Sequence, residues 1–158
     1  MAEQPDMQKT QPVRRCRFQA GALLVLVMAS GLGAPAMAQQ SPAESEAYLS
    51  ELLNEPRHAR AWRAMLKGER DLDAWLSNYA QTRRGPTAPE DDVVIEGRHY
   101  RGHMVCKTHD CGANLFYVIF APDTSQAWGL LLRSGREPRF LGRPDAAMQD
   151  ALRKLARL

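Results

Sequence analysis

The sequence predicts an α+β fold: a single domain with an antiparallel sheet of about five strands flanked by helices. Two observations carry this reading. Apolar residues recur at helical spacing up to about residue 80 and at strand spacing from Val93 onward. The strand-like runs follow one another through short turn segments, the mark of an antiparallel order. A composition of 44% apolar and 25% charged residues, close to the globular average, agrees with one packed core.

The elements follow in chain order. Gln39 to Glu44 reads as a polar tail. Ser45 through Leu53 carries Tyr48, Leu49, Leu52 and Leu53 as a helical stripe. Asn54 is placed to cap a second helix with Pro56 in its first turn, and Gly68 to stop it. Trp62, Met65 and Leu66 supply its apolar face. A short third helix fits Asp71 to Tyr79. Gln81 to Asp92, with Gly85-Pro86 and Pro89, reads as a loop. Val93 to Ile95 and Tyr100 to Val105 flank the turn Glu96-Gly97. Leu115 to Ala121, Trp128 to Leu132 and Phe140-Leu141 make the remaining strands. Pro144 opens a last helix in which Met148, Leu152 and Leu155 share one face.

Residues 1–38 read as an address rather than a fold. Arg14, Arg15 and Arg17 precede an uncharged apolar run from Ala20 to Leu32, and Ala36-Met37-Ala38 supplies small residues before Gln39. That is the three-part plan of a cleavable secretory signal. The 13-residue run is short of the roughly 20 residues a spanning helix needs. The twin arginines point weakly to the twin-arginine export route, and Arg17 argues for the general one. Cleavage leaves 39–158 as the mature domain, with 17 basic and 16 acidic side chains. The chain's formal charge of +3 thus falls to near +1, too little to suggest a nucleic-acid partner. Neither a phosphate loop nor a dinucleotide fingerprint is present. Neither a nucleophile-elbow serine nor an acid pair stands out, so the sequence predicts no enzyme and no cofactor. Among the histidines, His58 reads as part of a solvated helix face, and His99 and His103 as a solvent-facing row on one side of a strand.

Cys16 leaves with the leader, so Cys106 and Cys111 remain as an even pair that an oxidising compartment is expected to close. The segment Cys106-Lys107-Thr108-His109-Asp110-Cys111 lies between two predicted strands. It has several readings on chemistry alone. It is a staple whose polar residues are solvated, a metal site of Cys106, His109 and Cys111 with His103 or Asp110, a redox pair, or a stiff recognition loop. The spacing fits neither the common zinc pairs nor the thioredoxin-like motif, and no metal is predicted.

The hexapeptide and the Gly112 that follows resemble the Cys-Lys-Pro-His-Asp-Cys signature of the inhibitor of vertebrate lysozyme (Ivy) family. Ala74-Trp75-Leu76, the Gly/Thr/Pro loop, and Val94-Ile95-Glu96-Gly97-Arg98-His99-Tyr100 resemble the family's order upstream. Leu115 to Phe120 and Trp128-Gly129-Leu130 resemble its downstream strands, so the likeness spans roughly Ala61 to Leu158. Thr108 stands where the pattern has proline, at some cost in backbone rigidity. The resemblance implies a periplasmic inhibitor of c-type lysozyme from a Gram-negative bacterium, whose disulfide-closed loop plugs the enzyme's active site. His109 is then the residue offered to the two catalytic carboxylates, and Lys107 and Asp110 flank it against the cleft rim. Other readings stay open: a target among the cell's own lytic transglycosylases, or a structural or stress role without inhibition. No membrane partner is expected after cleavage, and a homodimer is compatible with the sequence. A mature chain near +1 lacks the acidic balance that steers towards a cationic enzyme, which leaves Glu90-Asp91-Asp92 as the one candidate steering patch.

Overall fold

The computed structural model describes residues 47–158. The predicted leader, 1–38, and the tail after it lie outside the described residues. Four short helices come first: α1 (Leu49–Leu52), α2 (Pro56–Leu66), α3 (Ala74–Ser77) and α4 (Tyr79–Thr82). Five strands follow: β1 (Thr87–Ile95), β2 (Arg98–Cys106), β3 (Asn114–Phe120), β4 (Ala127–Arg133) and β5 (Arg139–Leu141). Helix α5 (Ala146–Leu155) ends the chain. The strands pair antiparallel in the order β1-β2-β3-β4-β5, so the α+β expectation holds. Among the described residues no helix is long and apolar enough to cross a membrane.

Strand alternation sorts the core into two layers. On one face Val105, Phe116, Val118, Phe120 and Leu131 pack against Leu49, Leu53, Trp62, Met65, Leu76 and Tyr79 of α1–α4. On the other, Val93, Tyr100, Ile119 and Leu130 pack against Met148, Ala151, Leu152 and Leu155 of α5. Two glycines permit this closeness. A Cβ at Gly102 would overlap the Leu155 side chain, and one at Gly129 would overlap the Phe116 ring. The Phe116 ring in turn meets Trp62 edge to face at 5.5 Å.

Several local expectations are corrected. Glu55, not Asn54, occupies the position before α2, with Pro56 at its first turn. The Asp71–Tyr79 helix is two separate turns, α3 and α4, broken at Asn78. The last helix is capped by Asp145, whose carboxylate accepts the Met148 N–H at 2.9 Å. The largest correction is the loop over Gln81 to Asp92, because β1 already begins at Thr87. Proline argues against a strand only where its missing N–H is needed. Here Pro89 lies on an edge strand, beside a register shift between Pro89 and Asp92 that absorbs the irregularity.

His58 and His103 are also corrected, for both are buried, each 2% exposed. His103 shares a sheet face with Val118 and Val105, and α2 roofs that face. The His58 ring meets Phe120 edge-on at 5.1 Å, and His103 lies 6.4 Å from the same ring. His99, on the same side four residues earlier, is exposed near the β1–β2 turn. One face of one strand thus holds one buried and one solvated histidine, decided by where the helical layer ends.

Candidate binding loop

β2 and β3 are joined by the segment that holds both cysteines, and their sulfurs are bonded, with the two Cα atoms 4.9 Å apart. Neither is a free thiolate, which removes the reading that needed both as metal ligands. Cys106 is itself buried at the end of β2, so the ring is anchored in the core on one side. Lys107, Thr108 and His109 are exposed, and Asp110 and Cys111 are half-buried.

The tip is a hydrogen-bonded turn. The Asp110 N–H donates to the Lys107 carbonyl at 2.9 Å. Its third residue, His109, has φ +63°, while Thr108 keeps a negative φ. That combination is the type II pattern, which favours proline at the second position and tolerates few side chains at the third. The proline of the family signature therefore fits the position that Thr108 takes. Histidine in the left-handed region carries a backbone cost, and nothing in the packing recovers it, since the side chain is exposed.

Asp110 braces the loop through its carboxylate. One carboxylate oxygen accepts from Lys107 Nζ at 3.0 Å and from Asn114 Nδ2 at 2.8 Å. The Asp110 carbonyl takes the N–H groups of Ala113 and Asn114 at 3.2 and 3.0 Å. Lys107 N–H donates to the Asn114 carbonyl at 3.1 Å, and Ser134 N–H reaches across from the end of β4 to the Ala113 carbonyl at 2.8 Å. Lys107 and Asp110 keep the outward exposure expected of them, with side chains 46% and 40% exposed, and are paired with each other there.

The other flank was missed in the sequence. Cys106 N–H donates to the Pro86 carbonyl at 3.0 Å, and Gly85, at φ +137°, lies so close that a Cβ there would overlap the Cys106 carbonyl oxygen. In the sequence Gly85-Pro86 marks only a loop. Just before it, Arg83 donates from Nε to the Ser50 carbonyl at 3.2 Å and from Nη2 to the Leu53 carbonyl, tying this segment to α1. The ring is therefore held between the Arg83–Pro86 segment and the β3–β4 side.

The acidic run lies opposite the Arg101–His103 stretch of β2 rather than at the ring, and it is only partly open. Asp92 is 3.0 Å from Arg101 Nε, and Arg101 Nη1 also donates to the Glu90 carbonyl at 2.6 Å. Burial pushes the Glu90 carboxyl above its ordinary range. Asp91 alone of the three is exposed with no ion pair among the described residues.

A protein of Pseudomonas aeruginosa named inhibitor of vertebrate lysozyme is 34% identical over 144 residues, covering 83% of this chain and 88% of that protein. An uncharacterised protein of Yersinia pestis is 29% identical over 116 residues, 73% of each chain. The family model described as inhibitor of vertebrate lysozyme (Ivy) matches residues 57–157, from α2 to the end of α5, and so takes in the whole sheet and the braced ring. By that match this chain belongs to the inhibitor of vertebrate lysozyme family, whose members are protein inhibitors rather than enzymes.

Proposed function

We propose that the protein is an exported inhibitor of c-type lysozyme that seats the ring Cys106–Cys111 in the enzyme's cleft. The observation that carries this is the tip itself: an exposed histidine held at a costly φ on a turn closed by a disulfide and braced by Asp110. A plug gains from such stiffness because its ordering cost is met during folding rather than on binding. Lysozyme cleaves with two carboxylates flanking the sugar bond. An imidazole between them donates hydrogen bonds, gains charge from the acidic surroundings and excludes substrate and water. His109 has that role, with Thr108 and Lys107 against the rim. Asp110 acts through the loop it braces. Residues 1–38 are the cleaved signal peptide, 39–158 the inhibitor domain, and the periplasm the place of action.

The test is lysozyme-driven clearing of a peptidoglycan suspension with increasing amounts of the exported protein. Stoichiometric protection, matched by a one-to-one complex in calorimetry, is the expected outcome. Undiminished clearing in excess protein refutes the reading. A parallel assay with a lytic transglycosylase tells whether the cell's own enzymes are also targets.

A further inference from the structure

We infer that His58 and His103 form an acid-opened latch at the α1–α2 corner, and that opening it slackens the hold on the ring Cys106–Cys111. As a regulation of the binding loop, this rests on the function proposed above. His58 stands in the first turn of α2 and His103 on β2, both buried, and the Phe120 ring lies against each of them. The pair therefore occupies the seam where the helices meet the sheet. Neither Nδ1 has a hydrogen-bond partner among the described residues, and both atoms are buried. Packing does not account for this, since two apolar side chains would fill the space and leave no polar atom unpaired. What histidine adds at such a place is a charge that depends on pH.

The groups around the pair oppose a proton there. From the α2 side His58 meets Arg57, with Glu55 opposing, and from β2 His103 meets Arg101, whose charge is shared with Asp92 of β1. The residues opposite His103 on β1 and β3 are Pro89 and Val118, which carry no charge. Burial first, then these cations, keeps both imidazoles neutral at pH 7. A proton taken up by either is relieved only when water enters the seam. The corner is the part placed to yield, because α1 is only four residues long and three residues join it to α2. That corner also carries the Ser50 and Leu53 carbonyls to which Arg83 donates. Arg83 leads directly into Gly85, which abuts the Cys106 carbonyl, and Pro86, which accepts the Cys106 N–H. Loosening of the corner thus reaches the ring through one arginine and the short segment behind it. Helix α5 packs on the other sheet face, through Val93, Tyr100, Ile119 and Leu130, and has no part in this path.

The experiment is amide hydrogen exchange of the exported protein at about pH 7.5 and about pH 4.5, corrected for the intrinsic chemical rate, which reads the corner without any lysozyme. The comparison protein carries His58→Leu with His103→Leu, and His103→Leu alone serves where the double variant does not fold. On acidification, protection of the α1–α2 corner is expected to fall roughly tenfold or more beyond any fall in α5, and not to do so in the variant. Two further readouts follow the ring: the rate at which a water-soluble phosphine reduces the Cys106–Cys111 bond, and the affinity for lysozyme. Relative to the variant, wild type should gain about fivefold or more in reduction rate and lose as much affinity between the two pH values. Equal loss of protection in the corner and α5, or a corner response that survives in the variant, overturns the latch. An opened corner without a faster reduction overturns its coupling to the ring. Corner and reduction responses in a protein that never binds lysozyme support the latch and refute only the proposed target.

Discussion

Gly85 and Cys106 touch through their backbones: the glycine, at φ +137°, leaves no room for a Cβ beside the Cys106 carbonyl oxygen. Its neighbour Pro86 accepts the Cys106 N–H. The ring therefore stands on a support set 20 residues earlier in the chain. Gly85→Ala should cost about 2 kcal/mol or more of stability, because both the backbone conformation and the space are wrong for a side chain. Inhibition should fall further than stability alone explains. Urea denaturation and the clearing assay check this, and a fully active, fully stable alanine protein would show that the contact yields without consequence.

The disulfide should contribute about 2 kcal/mol, the loop-entropy figure for so small a ring. Cys106→Ser with Cys111→Ser should give a folded protein with a lower melting temperature and clearly weaker inhibition. Exported wild type should show no free thiol when denatured, and its mass should correspond to an N-terminus at Gln39. Two titratable thiols would contradict the bonded pair.

His109 offers a test in which stability and binding move in opposite directions. His109→Gly removes the side chain and relieves the positive φ, so stability should rise by up to about 1 kcal/mol. Binding to lysozyme should weaken by about 2 kcal/mol or more if the imidazole is a desolvated anchor. His109→Ala should bind as weakly without the gain in stability. Calorimetric affinities like wild type in both proteins would assign binding to the loop's backbone.

Asp110 and Lys107 should prove unequal although they form one ion pair. Lys107→Ala loses an exposed pair, a change of about 1 kcal/mol or less. Asp110→Ala also strips the partner from the Asn114 amide and should cost more in both stability and inhibition. Equal effects would mean that the brace through Asn114 contributes nothing.

Acid should weaken the fold through the buried histidines. Burial first, then Arg101 and His58, holds His103 down at about 4. Burial first, then Arg57, lowers His58, with Glu55 opposing. A histidine lowered by folding leaves the unfolded chain binding the extra proton, so stability is complete above about 6.5 and falls as pH drops towards about 4. The loss assigned to His103 is on the order of 3 kcal/mol. Urea midpoints between pH 7.5 and 4 should therefore slope steeply in wild type and less so in His103→Leu. Parallel slopes would place the acid sensitivity in other groups.

The apolar spacing of this sequence already determines the α+β class, the five antiparallel strands and the final helix, because period and turn residues are local properties. The ring was legible too, since two cysteines five apart between strands admit few geometries, and the residues around it carry the family resemblance. What lay beyond the sequence depends on neighbours far along the chain. Pro89 joins a strand because β1 is an edge. His58 and His103 are core residues because α2 covers one end of a sheet face and stops short of His99. Asp110 is tied back to β3 because Asn114 is within 2.8 Å, and Gly85 becomes a support because folding brings Cys106 against it. Periodicity says which side of an element a residue occupies. Only the tertiary structure decides what covers that side, and burial, pairing and charge all follow from the cover.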